Sequence, residues 1–123
     1  MAVSSALGGA VRRREDRRLV TGAGEYTDDV RRDEALHAVF VRSTFAHARI
    51  ARVDVSAAAA MPGIVGVFVA SDLGLAPRAA FPSPDTMARP PLASEIVRFV
   101  GDAIAVVVAQ TRAQAVDGAA VVL

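Results

Sequence analysis

The hydrophobic pattern is most regular toward the C-terminal end of the chain. Residues 96–100 (IVRFV) predict a short strand, and residues 101–102 (GD) predict a tight turn after it. Residues 104–109 (IAVVVA) form a nearly unbroken apolar run, which is typical of a strand covered on both faces, although periodicity alone does not exclude a buried helix. Residues 111–114 (TRAQ) have the spacing of a capping box, so we expect a helix to begin there.

Several further segments in the middle of the chain carry strand or helix patterns. Residues 36–43 (LHAVFVRS) alternate, and because both faces are largely apolar, we expect this strand to lie well inside a sheet. Residues 50–55 predict a second strand. Ser56 is a suitable N-cap for a short helix over residues 57–61, and the apolar run at residues 64–70 (IVGVFVA) predicts another strand.

Proline marks the longest connection. Five of the six prolines fall within residues 76–91, and because proline fixes φ and lacks a backbone donor, we expect a long exposed loop there. The predicted order of elements is then β-β-α-β, the loop, and β-β-α. Clustered strands with two short helices indicate an α+β domain over residues 11–123, after a loose N-terminus at residues 1–10.

Composition limits the possible functions. The 123 residues suffice for one domain, and a hydrophobic fraction of 53% allows a packed core. The formal net charge of +1 is too small to favour nucleic acid or a membrane surface as a partner. The absence of cysteine excludes disulfides, thiolate catalysis and cysteine-ligated clusters. No apolar run approaches the roughly 20 residues that span a bilayer, and we expect no secretory leader.

No catalytic, cofactor-binding or metal-binding residue can be assigned from the sequence. His37 and His47 are the only histidines, and nothing places them beside a carboxylate, so both are interpreted as structural or surface residues. Asp28 and Asp29 are adjacent but lack the spacing of a calcium loop, which favours a turn or a helix cap. The glycine pair at residues 22–24 lacks the third glycine of a dinucleotide fingerprint.

A run of five arginines surrounds Glu15 and Asp16. One interpretation is a solvated segment whose charges pair with one another. The other is a docking segment whose guanidinium groups bind carboxylates of another surface through bidentate hydrogen bonds. The candidate interface residues of this run are Arg12, Arg13, Arg14, Arg17 and Arg18.

The C-terminal segment is a second candidate interface. Residues 119–123 (AAVVL) are apolar and carry no C-cap glycine, basic last turn or polar tail, so we expect the predicted helix to continue through them. Such a helix would expose an apolar patch, with Val121 and Leu123 as candidate contacts, that a partner or a second copy of the chain covers. The pattern thus predicts that the chain is one part of a larger assembly.

Several ordered motifs resemble one known family. Residues 14–16 (RED) and 21–29 (TGAGEYTDD) are similar to the opening of molybdenum hydroxylase large subunits, the relatives of xanthine dehydrogenase, aldehyde oxidase and aerobic carbon monoxide dehydrogenase. The likeness continues through residues 36–43, 46–50, 61–65, 97–101 and 105–109. Each motif is weak alone, but together, in order and at compatible spacings, they make a specific match. The resemblance implies an α/β hammerhead domain with a mixed sheet.

The chain departs from the family pattern at residues 44–45 (TF), where Pro-His is common, and at Ala103, where Pro is common. The larger departure is length, because in the family several hundred further residues carry the molybdopterin cofactor and the catalytic glutamate. No family catalytic residue therefore carries over to this chain. The resemblance implies a cytoplasmic, non-catalytic hammerhead domain or split small subunit that packs on the molybdenum-bearing portion, with iron–sulfur and flavin subunits as further partners.

Two other interpretations stay open. A freestanding binding or adaptor module would keep the hammerhead fold and use the loop at residues 76–91 or the arginine run for recognition. A small independent enzyme would need a nucleophile, a base and oxyanion donors in one place, and the sequence nominates none of them. A neighbouring reading frame that encodes the molybdenum-bearing portion would favour the split enzyme.

Overall fold

The computed structural model describes residues 13–79, 82 and 84–123, which fall into two compact units. The described part of the first unit, residues 13–33, contains helix α1 (Asp16–Val20) and a 3-10 turn (Thr27–Asp29). The Asp29 carboxylate accepts a hydrogen bond from the Tyr26 backbone N–H at 2.9 Å, which confirms the predicted turn role of this residue. The predicted loose segment at residues 1–10 lies outside the described residues.

The second unit begins at Glu34 and contains the strands and the other helices. In chain order they are β1 (His37–Arg42), β2 (Ala48–Arg49), α2 (Ser56–Ala59), β3 (Ile64–Val69), α3 (Ala70–Leu73), a 3-10 helix (Asp85–Met87), β4 (Ile96–Val97), β5 (Ala103–Ala109) and α4 (Arg112–Ala120). The α+β class is confirmed. The sequence does not predict α1 and α3, because each spans only four or five residues and shows no periodicity.

Strand β5 lies in the centre of a three-stranded sheet with the order β1-β5-β3. Both pairings are antiparallel, and Val107 faces Val39 on one side and Val67 on the other. Strands β2 and β4 form a separate antiparallel pair in which Ala48 faces Val97. The prediction that residues 36–43 lie well inside a sheet is wrong, because β1 is an edge strand of the central sheet.

The predicted strand at residues 50–55 is also wrong, since β2 ends at Arg49. The Ile50 N–H donates to the Glu95 carbonyl at 2.8 Å, and beyond it the backbone leaves the sheet. The Asp54 carboxylate then accepts hydrogen bonds from the Ser56 backbone N–H at 3.0 Å and from the Ser56 hydroxyl at 2.6 Å. The predicted N-cap at Ser56 and the helix over residues 57–61 are therefore wrong, because α2 spans Ser56–Ala59, Val55 is its N-cap, and the Ser56 hydroxyl donates to Asp54 and does not accept from a helix N–H.

Helix α4 covers one face of the central sheet. The capping box at its start is confirmed, because Thr111 N lies 3.1 Å from Gln114 Oε1 and Gln114 N lies 3.3 Å from Thr111 Oγ1. A Cβ atom at Gly118 would lie 2.8 Å from Ile64 Cδ1 and 3.0 Å from Val107 Cγ1. The absence of a side chain at Gly118 therefore lets the helix approach the sheet closely.

Burial along β5 alternates between the two faces of the sheet. Three residues on the α4 side are fully buried: Ala105, Val107 and Ala109. Three residues on the other side are half-buried: Ile104, Val106 and Val108. The prediction that this strand is covered on both faces is confirmed in part: the α4 side is fully buried, whereas on the other side the strand residues are half-buried and the described chain supplies no helical layer.

The C-terminal residues leave the helix earlier than predicted, because α4 ends at Ala120. The Leu123 N–H donates to the Asp54 carbonyl at 3.1 Å, so the end of the chain pairs with the segment before α2.

The proline-rich segment at residues 76–91 is a connection without a long strand, as predicted. Arg78 and Arg89 form an isolated antiparallel bridge across it, and the 3-10 helix Asp85–Met87 lies between them. Within this segment, residues 80, 81 and 83 lie outside the described chain.

Candidate functional site

A row of apolar side chains crosses the face of the central sheet that lies opposite to α4. Phe40 of β1 and Phe68 of β3 are each directly opposite Val106 of β5. Directly opposed residues of antiparallel strands share a face, so the three side chains form one continuous row. Phe40 is 47% exposed and Phe68 is 38% exposed, and the half-buried Val106 lies between them.

The neighbouring row continues this apolar surface. Val108 of β5 faces Ala38 of β1 and Gly66 of β3. A Cβ atom at Gly66 would lie 2.8 Å from Phe68 Cζ, so the Phe68 ring occupies the space over the glycine. The absence of a side chain at Gly66 therefore lets the ring lie against the strand. We call the surface formed by the following residues the open sheet face: Ala38, Phe40, Gly66, Phe68, Val106 and Val108.

A groove rich in arginine adjoins the open sheet face. The Arg42 guanidinium lies 5.5 Å from the centre of the Phe40 ring, and Arg89 lies 4.9 Å from the centre of the Phe99 ring. Cations within about 6 Å of a ring centre are attracted to its face. Arg42 Nη1 also donates to the Gly101 carbonyl at 2.8 Å. We call this groove, with a volume of about 390 Å³, the basic groove; its charged lining residues are Arg42, Arg78, Arg89 and Asp102.

A second cleft, mostly apolar, lies at the end of α4. Its volume is about 520 Å³, and its lining includes Phe45, Ile50 and Val122. Leu123, which the sequence predicts as an interface residue, also lines this cleft and is 84% exposed. Val121, the other predicted residue, is 36% exposed. Both side chains are accessible to a partner, and their role in an interface stays a prediction.

Asp54 follows Arg52 and Val53, which line this cleft, and its carboxylate is held by local hydrogen bonds. Hydrogen bonds from the Ser56 hydroxyl and then from the Ser56 backbone N–H, with a smaller contribution from the paired Arg52 guanidinium, hold the pKa of Asp54 below its ordinary value of 3.8. A carboxyl group with a lowered pKa stays ionised near pH 7 and is poorly suited to general acid–base catalysis. The arrangement therefore assigns Asp54 a structural role at the start of α2.

The arginine run lies in the first unit. Arg13 and Arg14 precede α1, Arg17 and Arg18 lie within it, and all four side chains are exposed. Arg12 lies outside the described residues. Among the described residues of the run, no guanidinium forms an ion pair with Glu15 or Asp16, whereas the exposure of the four arginines agrees with a solvated segment. Their role as a docking segment stays a prediction.

The histidines lie apart in the fold. His37 begins β1 and His47 lies in the bend before β2, and both side chains are exposed. Within the described ranges, no group of three or more His, Asp or Glu side chains is placed to hold a metal ion. None of the helices in the same ranges combines the length and the apolar character that crossing a bilayer requires.

Sequence reasoning does not find the open sheet face or the basic groove. The alternation along β1 gives part of this surface, because Phe40 and Arg42 share one side of the strand while Val39 and Val41 share the other. That alternation does not reveal that Phe68 joins Phe40 across Val106. The row becomes visible only from the register of three strands that are distant in sequence.

Comparison with known proteins gives the family. The sequence model described as "Aldehyde oxidase and xanthine dehydrogenase, a/b hammerhead domain" matches residues 21–123. The chain is 42% identical over 116 residues to the nicotine 6-hydroxylase large subunit of Paenarthrobacter nicotinovorans, across 90% of this chain and 14% of that relative. It is 41% identical over 106 residues to the carbon monoxide dehydrogenase large chain of Afipia carboxidovorans, across 86% of this chain and 13% of that relative.

A solved structure agrees with these sequence matches. The crystal structure of a Cu,Mo-CO dehydrogenase has a TM-score of 0.77 and 36% identity, across 94% of this chain and 15% of that one. The chain therefore spans only 13–15% of the length of these relatives. The family and the hammerhead fold that the sequence motifs predicted are both confirmed. This chain belongs to the aldehyde oxidase and xanthine dehydrogenase family and has the fold of its a/b hammerhead domain.

Proposed function

We propose that the chain is a structural hammerhead domain, or a split subunit with that fold, of a molybdopterin-dependent oxidoreductase. It is not catalytic by itself, and its role is to pack on the molybdenum-bearing portion of the enzyme. The observation that carries this proposal is the apolar row of Phe40, Val106 and Phe68. An antiparallel sheet can leave one face in water, but that face is then normally polar. An apolar open face favours a partner that covers it.

The size of the open sheet face indicates what kind of association it can support. Complete burial of a phenylalanine side chain contributes about 1.5–3 kcal/mol. Since Phe40 is 47% exposed and Phe68 is 38% exposed, covering both would add about 1 kcal/mol for each ring. Association of two free molecules costs about 4–15 kcal/mol in lost translational and rotational freedom. The open sheet face therefore needs either a covalent tether or further contacts beside it.

The relatives support the chemistry of the proposed enzyme. One relative is named a nicotine 6-hydroxylase large subunit, and the matched crystal structure is that of a Cu,Mo-CO dehydrogenase. In the family that the motifs resemble, the residues that hold molybdopterin lie outside the hammerhead domain, so we assign the cofactor to the portion on which this chain packs. Iron–sulfur and flavin subunits are the further partners that the family resemblance implies.

Co-purification tests the proposal. The chain carries an affinity tag and is co-expressed with the remaining portion of the large subunit, encoded with it or in a neighbouring reading frame. Recovery of a complex that contains molybdenum and oxidises a substrate with a dye as electron acceptor supports the proposal. Recovery of the folded, metal-free chain alone contradicts it and favours a freestanding adaptor module.

Two finer expectations stay predictions. The first is self-association through the apolar C-terminal residues Val121 and Leu123, which light scattering of the purified chain measures. The second is a cytoplasmic location.

A further inference from the structure

The basic groove carries more positive than negative charge. Its lining contains three guanidinium groups, from Arg42, Arg78 and Arg89, and one carboxylate, from Asp102. Asp102 Oδ2 already accepts a hydrogen bond from the Arg98 backbone N–H at 3.0 Å, which holds the turn before β5. Among the carboxylates that the structure describes, none forms an ion pair with any of the three arginines. The groove therefore presents a surplus of positive charge to solvent.

Two of these arginines are directly opposed across the isolated bridge. Arg78 N lies 3.0 Å from Arg89 O, and Arg89 N lies 3.2 Å from Arg78 O. Like charges directly opposite each other on paired antiparallel segments repel. An anion bound next to both guanidinium groups would reduce that repulsion, so the arrangement favours a negatively charged occupant.

Two of the guanidinium groups are positioned before any ligand binds. Arg42 lies over the Phe40 ring and donates to the Gly101 carbonyl, and Arg89 lies over the Phe99 ring. A guanidinium group held against a ring keeps N–H donors on its edge that can bind a carboxylate in a bidentate manner. Because the side chains are already ordered, less conformational entropy is lost on binding.

The basic groove is continuous with the open sheet face, because Phe40 belongs to both. We propose that the groove docks an acidic polypeptide segment of the molybdenum-bearing portion, with neighbouring Asp or Glu carboxylates placed at Arg42 and Arg89. This inference rests on the proposed function and names the chemistry of the partner at one edge of the interface. The apolar row forms the core of that interface and the arginines form its charged rim, as is usual in protein interfaces.

The dimensions of the groove favour a polypeptide over a small inorganic anion. Its volume is about 390 Å³, and its lining contains Pro90, Pro91 and Phe99 beside the charged residues. Such a lining gives apolar contacts to the side chains that flank a carboxylate. An isolated phosphate ion would use the guanidinium groups but none of this apolar surface.

A fluorescent hexaglutamate peptide tests the groove on the full chain, without the molybdenum-bearing portion. We expect the wild-type chain to bind the peptide, and we expect binding to weaken between about 50 and 300 mM NaCl because salt screens exposed charges. Arg89→Glu should weaken binding about tenfold or more, as expected for reversal of an interface charge. Arg32→Glu is the matched control, because it makes the same charge change at an exposed arginine of the first unit.

Further measurements separate the outcomes. Arg42→Gln should also weaken binding, and circular dichroism confirms that each variant is folded. Equal peptide affinity of the wild-type chain and Arg89→Glu overturns the proposal. Displacement of the peptide by inorganic phosphate or pyrophosphate at concentrations well below the peptide's own Kd also overturns it and identifies a phosphate site.

The complex with the molybdenum-bearing portion provides a second test, in which failure of the groove assignment can be distinguished from failure of the proposed function. If the tagged chain retains the molybdenum-bearing portion, Arg89→Glu should lower the salt concentration at which that portion dissociates, whereas Arg32→Glu should not. An unchanged salt dependence overturns the assignment of the groove and leaves the proposed function standing. Peptide binding by a wild-type chain that forms no complex contradicts the proposed function, and with it the molybdenum-bearing portion as the source of the acidic segment, but leaves the groove as a site for acidic peptides.

Discussion

Gly63 and Gln114 lie so close together that a Cβ atom at position 63 would be 2.1 Å from Gln114 Nε2. Gly63 also has φ of +79°, a backbone conformation that favours glycine. Its carbonyl accepts a hydrogen bond from the Gln110 N–H at 2.9 Å, and Gln114 in turn forms the capping box with Thr111. The turn that precedes β3 is thereby fixed against the start of α4.

Gly63→Ala should therefore destabilise the domain. Backbone strain at a left-handed residue costs about 1–3 kcal/mol, and displacement of Gln114 from the capping box adds to this loss. Urea unfolding of the purified chain, followed by circular dichroism, measures the change in the free energy of unfolding. Gly74→Ala is the matched control, because Gly74 has φ of +56° but no atom within 4 Å of its Cβ position. Equal losses in the two variants would show that the contact with Gln114 contributes nothing beyond strain.

Gly118→Ala tests how closely α4 lies on the sheet. Alanine favours a helix over glycine by about 1 kcal/mol, whereas overpacking of a buried site costs about 1–3 kcal/mol. Because the new methyl group would lie 2.8 Å from Ile64 Cδ1 and 3.0 Å from Val107 Cγ1, we expect net destabilisation in the same unfolding assay. Ile64→Val removes Ile64 Cδ1, one of the two clashing atoms. The double variant Gly118→Ala with Ile64→Val should therefore regain part of the lost stability. A Gly118→Ala chain that is more stable than wild type would contradict the tight helix–sheet packing.

Asp54 should contribute a pH-dependent part of the stability. Its pKa in the folded chain lies below the ordinary value of 3.8, so its contribution is present above pH 3.8 and is lost as the pH falls through the folded-state pKa. Ser56→Ala removes the hydroxyl that is the largest cause of the lowering, and the pKa should move up toward 3.8 in a carboxyl ¹³C NMR titration. Arg52→Gln should produce a smaller rise. A pKa that does not change in Ser56→Ala would refute the cause assigned here.

Local motifs could be predicted from the sequence because their partners lie within a few residues. Thr111 and Gln114 form both bonds of the predicted capping box. The predicted turn at residues 101–102 is present, with Gly101 at φ of +93°. The family motifs predicted the hammerhead fold, and the match over residues 21–123 confirms it.

Features that depend on distant partners could not be predicted. Residues 50–55 alternate like a strand, yet they form their hydrogen bonds with Glu95, Ser56 and Leu123. The alternation of apolar and polar residues does not identify these partners. The apolar character of β5 is the same on both faces, so the sequence does not show that α4 covers only one of them. The candidate site depends on distant partners as well. The open sheet face requires the register of three strands, and the basic groove requires the backbone bridge between Arg78 and Arg89.

The central claim is that the open sheet face packs on the molybdenum-bearing portion of the enzyme. Its most direct test is the amount of that portion retained by a tagged chain that carries both Phe40→Ser and Phe68→Ser. Val116→Ser is the control, because Val116 is a 49% exposed apolar residue on α4, outside the open sheet face. Circular dichroism and urea unfolding establish that the variants are folded.

We expect the double variant to bind the molybdenum-bearing portion about 30-fold more weakly than the wild-type chain and to retain correspondingly less of it, since the two rings together contribute about 2 kcal/mol on burial. The Val116→Ser chain should retain as much as wild type. A folded double variant that retains as much as the wild-type and Val116→Ser chains would contradict the assignment of the open sheet face as the docking surface.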